Sequence, residues 1–322
     1  MSQIDRVLRS NLKLRHLQLL VALDQFRHLG RAAEFLSLTQ PAVSKTLAEV
    51  ERMFGLRLFE RSTRGTEPTP YGDGVVRFAR SVLANYERTR DELEAVARGA
   101  AGRTSVGAMV VATPVLLTRA VEMLKQRSAL TSVLVEEGDL TRLLPRLRLG
   151  ELDLFVGRLE PAYAAPDLET EALYEESMVA VVDASHALGA KRKVRWDDLA
   201  AMPCVMPPPW ASLRVKLDQI FFQHGLQPPA DLVETASFLG QLNFMRERRA
   251  AAFVARSVGE HFQAQGLFRI LPLSLPIELP PVGLMTVRGR RHTPSTEQLI
   301  DCLRAVAPSA AAPRSRRRKA AG

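Results

Sequence analysis

The chain has only two cysteines, Cys204 and Cys302, far apart in its 322 residues. No CxxC pair and no His/Cys cluster occurs, which excludes a disulfide scaffold and a zinc-ligand pattern. Neither cysteine sits in a basic flank that would activate a thiol. Their apolar neighbours point to burial, so a thiol-based redox sensor stands only as an alternative. The six histidines (16, 28, 186, 224, 261 and 292) are scattered without metal-ligand spacing. There is no GxSxG elbow, no P-loop and no GxGxxG after a strand. The expectation is a protein that is not an enzyme and carries no cofactor or metal. Apolar runs are too short to span a bilayer, and no apolar leader opens the chain. A cytoplasmic protein without a membrane partner is expected.

What is present is a localised basic excess. The formal net charge is +9. Arg314, Arg316, Arg317, Arg318 and Lys319 supply five of these charges in a tail, 308–322, that reads as disordered. Residues 1–72 carry 11 basic and 7 acidic side chains, and the stretch between balances. Basic charge gathered at one end is an electrostatic footprint of nucleic-acid binding.

That end has a recognisable layout. Ala32, Ala33 and Leu36 recur at helical spacing, and Ser37-Leu38 makes a short connection. Thr39 is placed to cap the next helix, with Pro41 in its first turn and Gly55 at its end. Val43, Leu47, Val50 and Phe54 give that helix one buried face. Gln40, Ser44 and Lys45 fall on or near the other. Glutamine makes paired bonds to adenine, and lysine reaches guanine or phosphate. Arg61 and Arg64 follow in a short ribbon anchored by Leu58 and Phe59, and they face phosphates or the minor groove. The reading is a winged helix-turn-helix, with Arg31 on the preceding helix joining the basic set.

These residues resemble the N-terminal domain of LysR-type transcriptional regulators. The matching run is Leu14-Arg15-His16-Leu17, Ala32-Ala33, Thr39 to Ser44, Glu51, Gly55, Leu58 to Arg61, and Thr69 to Gly72. Gly30 stands where the family usually has Ser or Thr, Lys45 replaces Arg, and Val50 replaces Leu. Residues 71–97 then read as one long helix with an apolar stripe that includes Val75, Val82, Leu83, Tyr86 and Leu93. The pattern alone allows packing on its own chain or on a partner. The resemblance implies a dimerising linker helix, with regulatory domains adding a second contact that gives tetramers, and Gly99 to Gly102 as a hinge.

From Ser105 the pattern alternates strand and helix, the mark of a parallel α/β sheet. Strands are expected at 105–112, 131–136, 203–206, 231–234, 251–255 and 281–287, with a turn and buried strand in 150–157 and a strand pair in 168–182. Helices are expected at 114–126, 140–149, 212–224, 238–246, 258–265 and 294–307. The fold class is α/β: a winged helix-turn-helix over 1–70, a linker over 71–102, and a two-lobed periplasmic-binding-protein-like effector domain over 103–307. Lobe I takes 103–163 and 270–307, and lobe II takes 164–269. The segment 150–154 also resembles the family. Residues 234–237 and 253–258 are similar to those of protocatechuate-pathway and sugar-responsive members.

A ligand is expected between the lobes, where strand ends meet helix starts. Thr113-Pro114 and Gly138-Asp139 from one lobe, with Pro207 to Ser212 and Ser237-Phe238 from the other, occupy such loops. Thr113, Ser212 and Ser237 are equally suited to capping helices. Asp139 argues against a simple dicarboxylate beside it, because uncompensated anions repel. Arg256 is either its compensating charge or a surface ion-pair partner. The expected partners are a double-stranded DNA operator, a small metabolite and further copies of the chain, with RNA polymerase as an additional candidate. The main rival class is an enzyme, against which the missing catalytic and metal motifs argue, and a third reading is a two-lobed small-molecule-binding protein.

Overall fold

The computed structural model describes residues 3–62, 65–97 and 102–308. A head of four helices comes first: α1 (Gln3–Arg6), which runs on as a π-helical turn, then α2 (Leu14–Phe26), α3 (Leu29–Phe35) and α4 (Gln40–Phe54). The ribbon β1 (Phe59–Ser62) and β2 (Gly65–Pro68) pairs antiparallel, Phe59 opposite Pro68. The apolar periodicity closes one core. Val43, Leu47, Val50 and Phe54 of α4 are buried with Leu19, Leu20 and Leu23 of α2 and with Leu58 and Phe59. Arg64 and most of the expected hinge lie outside the described residues.

The linker helix α5 (Pro70–Ala97) leads to lobe I. Its chain-order elements are β3 (Arg103–Ala108), α6 (Thr118–Arg127), β4 (Ser132–Glu137), α7 (Leu140–Leu149), β5 (Leu154–Arg158) and β6 (Leu168–Tyr174). Lobe II holds β7 (Met178–Asp183), α8 (Trp196–Ala200), β8 (Cys204–Met206), α9 (Ser212–Gln223), β9 (Leu232–Glu234), α10 (Phe238–Glu247), β10 (Ala251–Ala255), α11 (Arg256–Ala264) and β11 (Phe268–Ile270). The chain then returns to lobe I with β12 (Val282–Val287) and α12 (Pro294–Val306). A buried hydroxyl cluster fixes that return: Thr296 bonds Thr104 at 3.0 Å, and Ser295 Oγ donates to the Arg103 carbonyl at 2.8 Å.

The sheets are β4-β3-β5-β12-β6 and β11-β7-β10-β8-β9. Each has three parallel strands, as the strand–helix alternation predicts, extended by antiparallel ones. The two strands expected within 168–182 are both present, but in different sheets. β6 pairs with β12 in lobe I, whereas β7 pairs with β10 and β11 in lobe II. The two crossovers therefore run through 175–177 and 271–281. The first expected strand stops at Ala108, and the helix expected from 114 opens with a π-helical turn, Thr113–Leu117. Among the described residues no helix is long and apolar enough to cross a membrane.

Candidate DNA interface and effector cleft

The recognition surface is built from caps and turns. Thr39 Oγ1 accepts from the Ala42 amide at 3.4 Å and starts α4, and Gly55, at φ 67°, ends it. His28 Nδ1 accepts from the Gly30 amide at 3.0 Å and starts α3, so the cap at this corner comes from histidine. Glu51 reaches from α4 to the ribbon, where its Oε1 accepts from the Leu58 amide at 2.8 Å and the Phe59 amide at 3.1 Å. Thr69 Oγ1 donates to the Arg57 carbonyl at 2.8 Å and accepts from the Gly72 amide at 3.1 Å. A side chain at 72 would put Cβ 1.9 Å from the Leu58 carbonyl oxygen, so only glycine fits.

This scaffold leaves Gln40, Pro41 and Lys45 exposed on one face of α4, with Ser44 half-buried beside them. Arg31 is exposed on α3 and Arg61 on β1. Arg61 Nη2 donates to Ser44 Oγ at 3.1 Å, so ribbon and recognition helix meet at two of the expected DNA-contacting residues. That bond, the His28 cap and the Glu51 bridge were not found by sequence reasoning. The Arg61–Ser44 bond and the Glu51 bridge join different elements, whereas the His28 cap is local and passed unseen because histidine is not among the usual capping residues.

The five expected linker positions divide. Val75, Val82 and Leu83 are half-buried against the head core. Tyr86 is 48% exposed and Leu93 67%, and Tyr71 and Phe78, not picked out from the pattern, are 60% and 37% exposed. Intervals of seven, eight and seven residues place these four rings and chains along one stripe of α5.

The cleft residues also divide. Thr113 Oγ1 donates to the Met109 carbonyl at 3.2 Å, and its amide donates to the same oxygen at 3.3 Å. Thr113 therefore presents hydroxyl lone pairs rather than a free donor, and Pro114 beside it is half-buried. Asp139 caps α7, accepting from the Arg142 amide at 3.1 Å, and stays exposed next to Gly138. Ser237 caps α10, accepting from the Gly240 amide at 3.1 Å. Ser212 does not cap. Its Oγ donates to Glu160 Oε1 at 2.9 Å, from lobe II to the loop that follows β5 of lobe I. Pro207 is held by Arg214, which donates to its carbonyl at 3.2 Å. Phe238 is spent on packing, its ring 5.1 Å from that of Phe262. Arg256 makes an exposed pair with Glu260 at 3.6 Å and donates to Ser177 Oγ at 3.0 Å. Beside the crossovers, Arg158 is buried and donates to the Pro280 carbonyl at 3.0 Å. Burial pushes the Cys204 thiol up to about 12, and Cys302 is buried too, so neither thiol is presented to an oxidant.

Two family models match the chain: the bacterial regulatory helix-turn-helix protein of the lysR family over residues 14–73, and the LysR substrate binding domain over residues 97–308. The chain belongs to the LysR family of transcriptional regulators. It is a DNA-binding regulator with an effector-binding C-terminal domain. This LysR-type chain is 33% identical over 307 residues to the HTH-type transcriptional regulator GbpR of Azospirillum brasilense, covering 93% of this chain and 88% of that one. It is 31% identical over 278 residues to the regulator PcaQ of Agrobacterium fabrum, covering 86% and 89%. The crystal structure of CbnR, a LysR family regulator, shares its fold with a TM-score of 0.69 at 19% identity, over 92% of this chain and all of that one.

Proposed function

We propose that this LysR-type regulator reads a partly palindromic operator with Gln40, Ser44 and Lys45 in the major groove, while Arg31, Arg61 and Arg64 hold phosphates. The observation that carries this reading is the shared exposure of Gln40, Pro41 and Lys45 on α4, with Arg61 fastened to Ser44 beside them. Side chains on one exposed helix face reach base edges, and the arginines add sequence-independent attraction. The exposed stripe Tyr71, Phe78, Tyr86 and Leu93 is the face on which a second copy dimerises, with Val75, Val82 and Leu83 backing it from the head core. Regulatory-domain contacts then make a tetramer.

The domain division we propose keeps 1–70 as head, 71–102 as linker and 103–307 as effector domain, with a basic tail behind. The lobes exchange at 175–177 and 271–281. The effector lies between them, near Thr113, Pro114, Gly138, Asp139, Pro207, Ser212, Ser237 and Phe238. Thr113 has spent its hydroxyl proton on Met109, so it accepts from a ligand donor. Asp139 and Glu160 add two carboxylates to the region, which disfavours a dianion. A hydroxyl-rich or partly neutral metabolite fits these groups best.

Calorimetry against sugars, sugar acids and aromatic-pathway acids tests this reading. Thr113→Val should weaken effector binding and leave effector-free DNA affinity nearly intact. Unchanged effector affinity in Thr113→Val puts the pocket elsewhere, and a dianion as the tightest ligand overturns the ligand class.

A further inference from the structure

The linker helix α5 makes two physically different contacts. Toward the head it is mainly apolar, with Val76 and Ala79 buried among the leucines of α2 beside one ion pair, Arg80 to Asp24. Toward lobe I it is polar and loosely filled. Arg80 Nη1 lies 3.5 Å from Glu151 Oε1, and Arg88 Nη2 lies 3.2 Å from Asp153 Oδ1. Arg88 also donates to the Gly150 carbonyl at 3.2 Å. A cavity of about 300 Å3, lined by these side chains with Asp91, Arg103 and Arg146, occupies the rest of the joint. Parting an apolar contact exposes its area to water, whereas the Arg80–Glu151 pair, long at 3.5 Å and bordering the cavity, can exchange partners with water. The joint that moves is therefore the one between α5 and lobe I.

Arg80 connects that joint to the DNA-binding ribbon. Its Nη2 lies 2.9 Å from Asp24 Oδ2, and the other oxygen of Asp24 lies 2.7 Å from Arg27. Arg27 pairs with Glu67 of β2, and its backbone carbonyl accepts from the Thr66 amide at 2.8 Å. On the far side Glu151 is shared in the same way, its second oxygen 2.7 Å from Arg146, which also pairs with Glu136 of β4. Two carboxylates, each divided between two arginines, thus join the edge strand of lobe I to the ribbon.

We propose that Arg80 is the coupling residue of this regulator, carrying the position of lobe I, sensed at Glu151 in the Gly150–Asp153 turn, to Asp24 and so to the ribbon. When lobe I shifts, Arg80 loses Glu151 and keeps Asp24 alone. The sharing of Asp24 with Arg27 then readjusts, and Arg27 is the residue that holds β2. A coupling of this kind is reciprocal: a change at the ribbon loosens the turn in lobe I as much as the reverse.

Hydrogen exchange on the full-length protein tests the proposal without an effector. Glu151→Gln should speed exchange severalfold at residues 20–27 and 65–68 of the head. Asp24→Asn should do the same at residues 146–153. In an Arg80→Gln background neither change should add anything further. Arg80→Lys should behave as Arg80→Gln, because an ammonium lacks the planar fork that holds two carboxylates on separate nitrogens. Arg148→Gln, which breaks an exposed pair with Asp167 in the same lobe, should leave the head unchanged. The proposal is overturned by unaltered head exchange in Glu151→Gln. It is equally overturned by an effect that persists without Arg80, or by a rise spread evenly over the whole chain.

Discussion

Glu51→Ala should unfasten the ribbon from the recognition helix. One carboxylate oxygen satisfies two backbone amides, Leu58 at 2.8 Å and Phe59 at 3.1 Å, at residues whose side chains are buried. Alanine removes the acceptor and leaves both donors under the head core. An unsatisfied buried donor costs about 1–3 kcal/mol, so the pair should cost about 2–4 kcal/mol after partial rescue by water. That is a large share of a domain stability of about 5–15 kcal/mol. Glu51→Gln keeps an acceptor of the same shape and loses only charge assistance, so it should cost about 1 kcal/mol. Exchange of the slowest amides in α2 and α4 reads the stability of the head directly. Fluorescence gives an internal control, because both tryptophans, Trp196 and Trp210, lie in lobe II and should report no change. Affinity for all duplexes should fall alike, since Arg61 on β1 loses its support. A Glu51→Ala cost below about 0.5 kcal/mol, or a Gln variant as damaged as the Ala variant, would refute the two-amide argument.

Phe78→Asp with Tyr86→Asp should lower oligomer size and operator affinity while leaving the C-terminal domain folded; light scattering that shows an unchanged oligomer removes the linker stripe as the dimer face. His16 is fully buried, and burial lowers its pKa from 6.5. Below pH 6.5 the unfolded chain therefore binds a proton that the folded head does not, and the stability contributed by His16, complete above that pH, is lost as pH falls through the folded value. An NMR titration should find the His16 ring titrating below 6.5, and a value at or above it would contradict the burial argument.

Much of the head was legible because its signals are local. Thr39, Pro41, the Val43–Phe54 stripe and Gly55 fix α4 within one segment, and its observed bounds follow them. The expected α7 likewise coincides with Leu140–Leu149, between the Asp139 cap and Gly150. Most of what was misread depends on partners distant in sequence. β6 and β7 are adjacent in the chain and read together as a strand pair, yet β6 finds its neighbour in β12, more than a hundred residues on. Thr113 has the look of a helix cap, but its hydroxyl turns back to Met109 and a π-helical turn intervenes. Of three hydroxyls with equal claims as caps, only Ser237 caps, while Ser212 reaches the other lobe. The charged path through Asp24, Arg80 and Glu151 joins three segments that no periodicity relates.

The central claim is that α4 reads bases. The most direct measurement is quantitative binding of the parent and Gln40→Ala to the duplex protected beside the regulator's own gene and to a scrambled duplex of equal length. The account predicts a loss of about 1–3 kcal/mol on the protected duplex and almost none on the scrambled one, the scale of a single good base contact. Equal losses on both duplexes would contradict it.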